Sequence, residues 1–167
     1  RTVDILATAI QAGMTVYDLE HLELAYAPPY GASKDPVNIA GYVASNRLRG
    51  DTDLAAWDTL ADLDPEKVGI LDVRSDSEWE RGHIAGAVHI HNVDLRDRLG
   101  ELPKDKEWIL YCAVGQRAYV AERMLKQRGY RVKNLAGGWV TYSVAAEKQS
   151  NLDQGDLKYH TDFRRGY

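Results

Sequence analysis

The one cysteine of this 167-residue chain, Cys112, stands where an apolar stretch gives way to a glycine-containing loop. The run EWILYC (107–112) is typical of a buried strand, and a helical pattern begins with Gln116. In open α/β sheets, ligands bind outside the carboxyl ends of the strands, which is where this order of elements places the thiol. The position alone makes Cys112 a candidate nucleophile.

The loop after Cys112 offers groups that stabilise a charged sulfur atom. A turn that leads into a helix gathers several backbone N–H groups around the thiol, and their positive potential favours the thiolate. The same N–H groups would hold an oxyanion or the terminal sulfur of a persulfide. Gly115 gives the backbone conformations that other residues avoid, and Arg117 adds a positive charge suited to sulfonate- or phosphate-like groups. The predicted sulfur-binding loop consists of Ala113, Val114, Gly115, Gln116 and Arg117.

A structural role is the alternative for Cys112. Free cysteine is among the most buried residue types, so a lone cysteine at a strand end is often only a small core residue. The succession of strand, glycine-containing loop and helix favours the catalytic interpretation. No general base is obvious in the sequence, but a thiolate that has already formed needs none in order to attack.

Composition argues against several classes of partner. The net charge of −4 gives no electrostatic reason to expect nucleic acid or an anionic membrane. No apolar run approaches the roughly 18 residues of a membrane span. A single cysteine cannot form an internal disulfide, which fits a reducing compartment, and we expect a cytoplasmic protein. His89 and His91 have no cysteine or acidic ligands clustered with them, so no metal site is expected.

The chain divides by pattern into three pieces, of which the first and last are small. Residues 1–50 predict three short helices: one at the N-terminus, one that starts near Thr15, and one that Asp35-Pro36 begin. These helices make a poor core alone, so this piece needs another domain or a partner to cover its apolar faces. Residues 149–167 are polar and are expected to form a tail.

The middle piece, residues 51–148, alternates strand-like and helical patterns, which predicts an α/β fold with a parallel sheet covered on both faces. The strands at 68–73 and 107–112 are expected to be central and buried. The strand candidates are VGILDV (68–73), AVHIH (87–91), EWILYC (107–112) and RVKNLAG (131–137), and the helical candidates are 76–81, 93–102, 116–129 and 139–148. One core is predicted from Val68, Ile70, Leu71, Val73, Ile109, Leu110, Val120, Met124 and Leu125.

Three stretches of the middle piece resemble the rhodanese domain, the sulfurtransferase fold. They are LDVRSDSEWERGHIAGAVHI (71–90), YCAVGQRA (111–118) and NLAGGW (134–139), in that family's order. The resemblance implies a parallel five-stranded sheet with helices on both sides. It also implies that Cys112 accepts a sulfane sulfur as a persulfide and passes it to an acceptor. The partners implied are small sulfur donors, such as thiosulfate, a thiol persulfide or polysulfide, and thiol acceptors.

The length of the loop discriminates between related activities. Cys112 to Arg117 spans six residues, which is typical of sulfurtransferases, whereas related phosphatases and arsenate reductases have a loop one residue longer. The shorter loop leaves less room for a tetrahedral oxyanion and argues against a phosphatase. A non-catalytic docking or dimerisation module of the same fold stays open as an alternative, although such modules often lack the cysteine.

The same resemblance implies supporting residues outside the loop. Asp72 and Arg74 stand at the end of the first main strand. There Asp72 either bonds backbone or arginine groups near the loop or caps the next turn. His83 flanks the GHIAGA turn and is expected to hold that turn by a local hydrogen bond, not to take part in catalysis.

Residues 6–46 resemble the end of the dimerisation domain of FAD-dependent pyridine nucleotide-disulfide oxidoreductases, above all coenzyme A-disulfide reductases and NADH oxidases. The stretch AYAPPYGASKDPVN (25–38) is the most specific part of the match. Some members of that group carry a C-terminal rhodanese domain. The resemblance therefore implies a fragment of a CoA-disulfide or persulfide reductase that forms a homodimer through its N-terminal segment.

Cofactors of such a reductase are implied only for a longer protein. The chain has no G-x-G-x-x-G fingerprint and no second cysteine, so FAD, NADH and coenzyme A are assigned to no residue here. In relatives, tyrosines of the dimerisation domain reach the active site of the partner subunit. Tyr26 and Tyr30 are the candidates by position, and packing of these aromatics beside prolines in an interface is the alternative.

Overall fold

This computed structural model describes the backbone of residues 1–153 and the side chains of residues 1–147. The chain separates into two units, Arg1–Asp53 and Leu54–Tyr167. The tail predicted over 149–167 lies outside the described residues from position 154 onward, and residues 149–153 continue the last helix. Within the described part, none of the helices has both the length and the apolar composition needed to cross a bilayer.

The first unit consists of three helices, two of which begin with a capping box. The Asp35 carboxylate accepts a hydrogen bond from the Val37 N–H, and the Asn38 side chain accepts one from the Asp35 N–H, both at 3.1 Å. This reciprocal capping confirms the predicted start of the third helix. Gly41 lets that helix lie against the second, since a Cβ there would come within 2.8 Å of the Glu20 nitrogen. The helices are α1 (Thr2–Gln11), α2 (Val16–Glu20) and α3 (Pro36–Leu48).

The second unit contains a five-stranded sheet whose strands are β1 (Leu54–Ala55), β2 (Val68–Asp72), β3 (Val88–His89), β4 (Glu107–Tyr111) and β5 (Arg131–Leu135). Every pair of neighbouring strands is parallel, in the order β1-β5-β4-β2-β3. The strand that leads into Cys112 is therefore the middle one. The predicted α/β class, the parallel five-stranded sheet and the interior positions of β2 and β4 are confirmed.

Helices cover both faces of this sheet. On β4, Trp108 and Leu110 belong to the apolar cluster that includes residues of α5, whereas Ile109 and Tyr111 belong to the cluster that includes residues of α6. This division follows from the alternation of side chains along a strand. The helices of this unit are α4 (Asp76–Glu80), α5 (Gln116–Lys126) and α6 (Gly138–Asp153), with short 3-10 helices at Trp57–Asp62 and Leu99–Glu101.

The prediction of one core is wrong in two respects. Its members divide between the two clusters, because residues next to each other on a strand point to opposite faces of the sheet. Val120 belongs to neither cluster and is 56% exposed. Ala118, Ala121 and Leu125 form the buried face of α5, and Val120 lies off that face.

The helix predicted over 93–102 does not form. Separate turns occur instead: the Leu95 N–H donates to the His91 carbonyl, and the Arg98 N–H donates to the Asp94 carbonyl. Leu95 and Leu102 are nonetheless buried. The turns therefore place these leucines in the core, as a helix of the same sequence would also do.

The sequence patterns also fail to reveal the edge strand β1. It has only two residues, which pair with Asn134 and Leu135 of β5. Alternation between apolar and polar residues cannot be recognised over so short a segment.

Gly69 provides a test of how the sheet packs. It lies beside Trp108 on the neighbouring strand, and a Cβ at Gly69 would come within 2.5 Å of the Trp108 ring. We expect Gly69→Ala to lower the free energy of unfolding by about 1–3 kcal/mol, because the ring or the strand must move. Gly100→Ala is the matched control, since a Cβ there meets nothing within 4 Å. Equal urea midpoints for the two variants would contradict this packing.

Candidate active site

Cys112 directly follows β4, at the carboxyl end of the middle strand, and is 1% exposed. Such burial is common among free cysteines of any role, so burial alone does not identify a nucleophile. The contact of the sulfur atom is more specific: the backbone N–H of Gly115 donates to Sγ over 3.2 Å. The chain must turn back sharply to make this contact, and Gly115 permits the turn with a φ of 105°. The loop therefore folds around the thiol.

Three carbonyl groups of the loop are held by donors from the following strand and helix. The pairs are Trp139 N–H to the Cys112 oxygen (2.8 Å), Val140 N–H to the Ala113 oxygen (3.0 Å), and Asn134 Nδ2 to the Gly115 oxygen (2.9 Å). The last residues of β5 and the first turn of α6 thus determine the shape of the loop. The side chains of Val114 and Gln116 are exposed to solvent.

Arg117 extends from the first turn of α5 to Glu78 of α4. Its Nη1 and Nη2 atoms donate to the two carboxylate oxygens at 2.7 Å each. Glu78 also accepts hydrogen bonds from the N–H and the hydroxyl of Ser75, so one carboxylate both caps α4 and binds the loop arginine. Hydrogen bonds with Arg117 hold the pKa of Glu78 well below its usual range, and hydrogen bonds with Glu78 raise the pKa of Arg117. The positive charge predicted for the loop is present, and Glu78 balances it.

Asp72 and Arg74 form a buried ion pair at the end of β2. Arg74 Nη2 donates to Asp72 Oδ2 over 2.6 Å, and the Arg74 backbone N–H donates to Asp72 Oδ1 over 2.9 Å. Asp72 thus makes both an arginine contact and a turn-capping contact, the two roles considered for it. Burial alone would lower the pKa of Arg74, but its hydrogen bonds and charge attraction with Asp72 outweigh that effect and raise it.

The same arginine reaches the GHIAGA turn and the start of α6. Arg74 Nη2 donates to the Gly82 carbonyl over 2.7 Å, and its guanidinium carbon lies 4.7 Å from the centroid of the Trp139 ring. Tyr111 lies beside this group, and its hydroxyl oxygen accepts a hydrogen bond from the Ile84 N–H over 3.1 Å. Burial and a hydrogen bond with Asp72 raise the pKa of Tyr111 above its usual range, so the phenol stays neutral.

The other predicted residues are His83, Tyr26 and Tyr30. His83 is exposed, its Nδ1 lies 3.2 Å from the Trp79 carbonyl oxygen, and its ring stacks on the Trp79 ring at 3.5 Å. This is a local hydrogen bond of the kind expected for His83. Tyr26 and Tyr30 belong to the first unit, where they are 50% and 90% exposed.

Three residues that shape the loop were not predicted from the sequence. Glu78 follows Ser75 at capping-box spacing, which signals a helix start but not an arginine partner. Asn134 and Gly138 lie within the NLAGGW stretch. The resemblance of that stretch to a family pattern implied no role for either residue. Their contacts depend on how β5 and α6 approach the loop in three dimensions.

Chemically, the arrangement suits a sulfur nucleophile whose charge is stabilised by backbone N–H groups. Among the side chains described, no three His, Cys, Asp or Glu residues are grouped in a way that could hold a metal ion. A protein-family model described as the Rhodanese-like domain matches residues 56–145. This chain belongs to the rhodanese-like family. The resemblance drawn from the three sequence stretches is thereby confirmed.

Relatives of this rhodanese-like chain include both larger and smaller proteins. It superposes on reduced Bacillus anthracis CoADR-RHD with a TM-score of 0.84 and 44% identity, covering 88% of this chain and 26% of that one. An NAD-dependent persulfide reductase from A. fulgidus gives a TM-score of 0.70 and 43% identity, covering 81% and 24%. A sulfurtransferase of Allochromatium vinosum is 37% identical over 81 residues, covering 48% of this chain and 76% of that protein.

The likeness to the two reductases covers only a part of each of them. This chain spans about a quarter of the length of the CoADR-RHD protein and of the persulfide reductase. Most of each of those two proteins therefore has no counterpart in these 167 residues. The residues matched by the family model, 56–145, lie within the second unit, which carries a rhodanese-like sulfurtransferase domain.

The Glu78–Arg117 pair gives a prediction about stability and pH. We expect Glu78→Gln to lower the free energy of unfolding at neutral pH, because Arg117 loses its anionic partner. Glu101→Gln is the matched control, since it breaks an equally bidentate pair with Arg98 that is exposed. Exposed pairs contribute only about 0–1 kcal/mol, so this control should change stability less.

The pH dependence of that difference has a definite sign. Folding lowers the pKa of Glu78 from its ordinary value of 4.5, so the stability it contributes is complete above that value and declines as the pH falls below it. Urea titrations should therefore show a wild-type minus Glu78→Gln difference that is constant near neutral pH and shrinks in acid. A difference that does not change with pH would contradict the proposed pairing.

Proposed function

We propose that Cys112 accepts a sulfane sulfur atom as a persulfide and passes it to a thiol or another acceptor. The observation that carries this proposal is the Gly115 N–H bond to Sγ, within a six-residue loop between the middle strand and a helix. N–H groups directed at a sulfur atom stabilise its negative charge, both on the thiolate and on the outer atom of a persulfide. Similarity to sulfurtransferases supports the same activity.

The transfer consists of two displacements in which electrons balance. The Cys112 thiolate attacks the outer sulfur of a donor such as thiosulfate, a thiol persulfide or a polysulfide. A new S–S bond forms at Cys112, the donor's S–S bond breaks, and sulfite or a thiolate leaves with the electron pair. An acceptor thiolate then attacks the outer sulfur of the Cys112 persulfide, and the Cys112 thiolate leaves unchanged.

The loop residues have distinct roles in this scheme. Backbone N–H groups of Ala113, Val114 and Gly115 stabilise the sulfur charge, while Gly115 also makes the turn possible. Arg117, balanced by Glu78, fixes the first turn of α5 against α4. Asp72 and Arg74 support the strand end and do not take part in bond making.

We further propose that the chain works with a flavin-dependent CoA-disulfide or persulfide reductase. Support comes from its similarity to CoADR-RHD and to an NAD-dependent persulfide reductase, of each of which this chain covers about a quarter. FAD, NADH and coenzyme A would be bound outside these 167 residues, since no fingerprint for a dinucleotide is present. We expect this sulfur relay in the cytoplasm, where a lone thiol stays reduced.

Cys112→Ser tests the catalytic proposal directly. After incubation with thiosulfate or a thiol persulfide, the wild-type protein should gain about 32 Da at Cys112, the mass of one sulfur atom. Cys112→Ser removes the chain's one thiol, so it should gain no mass and transfer no sulfur. Undiminished transfer by this variant would refute the proposal. Absence of the mass gain in the wild type would favour a docking module, and fast hydrolysis of an aryl phosphate would favour a phosphatase.

We propose that the first unit forms a homodimer, with Tyr26 and Tyr30 available to a partner subunit. Its helices expose large apolar side chains, including Ile10 at 78% and Leu48 at 67%. Light scattering should give twice the 18.7 kDa mass of the chain. Ile10→Asp should shift the mass toward the monomer, whereas Val93→Asp, a substitution at a 70% exposed position in the second unit, should not. A monomeric wild type would disprove this interface.

A further inference from the structure

Gly138, the first residue of α6, occupies a position that a larger residue cannot take. Its φ is 57°, and a Cβ there would overlap the Cys112 carbonyl oxygen and come within 2.8 Å of the Ala113 oxygen. This close approach lets the N–H groups of Trp139 and Val140 reach those two carbonyls. The glycine is thus a condition for the contact between α6 and the sulfur loop.

The Trp139 side chain keeps the start of α6 in place. Its ring packs near the Arg74 guanidinium and stacks with Tyr111 at a centroid distance of 6.5 Å. Gly82 closes another side, since a Cβ there would lie 3.2 Å from the indole. A helix start enclosed in this way cannot shift without breaking the contact between the Trp139 ring and the buried Arg74 guanidinium.

Because the peptide bond is planar, these contacts also determine the direction of the loop N–H groups. In a trans peptide the carbonyl and the following N–H point in opposite directions. Because α6 and β5 hold the carbonyls of Cys112, Ala113 and Gly115, the N–H groups of Ala113, Val114 and Gln116 are turned to the other side. The Gly115 N–H, which belongs to the peptide between the held Ala113 and Gly115 carbonyls, donates to Sγ.

We propose that Gly138 and Asn134 are positioning residues for the sulfur chemistry of this domain. Gly138 admits the first turn of α6 to two loop carbonyls, and Asn134 holds a third. Together they direct the loop N–H groups at the Cys112 thiolate and at any sulfur atom that it carries. The part that concerns carried sulfur rests on the proposed function, whereas the effect on the thiolate does not.

The test compares Gly138→Ala with Gly129→Ala in the full chain. Gly129 also has a positive φ, of 80°, but a Cβ there meets nothing within 4 Å, so the control carries backbone strain without touching the loop. The pH dependence of Cys112 alkylation by iodoacetamide is measured for each. In Gly138→Ala we expect the midpoint of this profile to rise by about one pH unit and sulfur transfer to fall roughly 100-fold. Gly129→Ala should match the wild type in both.

Asn134→Ala serves as a second variant, since Gly138→Ala risks misfolding. It removes the donor to the Gly115 carbonyl without adding bulk, and it should also raise the alkylation midpoint. A purely structural role would lower the melting temperature of either variant and leave the midpoint unchanged, which would overturn the proposal. A raised midpoint, combined with no sulfur uptake by the wild type, would support the positioning role and refute the sulfurtransferase proposal instead.

Discussion

A buried charge at the end of β2 connects the elements that surround the sulfur. Arg74 is 2% exposed, binds the Asp72 carboxylate and the Gly82 carbonyl, and lies against the Trp139 ring. Its own carbonyl accepts a hydrogen bond from His89 Nε2 over 2.8 Å. A charge removed from water is costly unless every partner is in place. Strand β2, the turn before β3 and the start of α6 must therefore adopt one arrangement, and that arrangement sets where the loop can lie.

Both the backbone and Arg117 contribute to the electrostatics of the site. Arg117 is paired with Glu78, and Arg74 is paired with Asp72. The positive potential around Cys112 includes the dipoles of the loop N–H groups, of which that of Gly115 donates to Sγ, and the Arg117 charge, which interacts with Cys112. Such dipoles are fixed by the fold and need no reorganisation when charge develops on sulfur. The ion pairs hold the elements around the loop, and the loop N–H groups stabilise negative charge on the sulfur.

Local signals made part of this site predictable from the sequence. The strand, loop and helix around Cys112 follow one another in the chain, so their order and the turn at Gly115 could be inferred from neighbouring residues. The contacts that hold the loop come from far away: Glu78 is 39 residues from Arg117, and Asn134 is 19 from Gly115. Contacts of that kind leave no periodic pattern. The helix predicted over 93–102 does not form for a different reason: leucines at helical spacing are also compatible with a series of turns.

The exposed side chains of the loop have a consequence for how such domains diversify. Val114 is 63% exposed and Gln116 also faces solvent, while the loop group that donates to the sulfur is the main-chain N–H of Gly115. In the proposed sulfur transfer, the identity of these two side chains is thus uncoupled from the capture of sulfur. Substitutions at Val114 and Gln116, in evolution or in a library of variants, can therefore change the surface that a donor would meet without altering the main chain of the loop. We expect proteins that share this loop to differ in the sulfur donor that they prefer while they keep the same reaction.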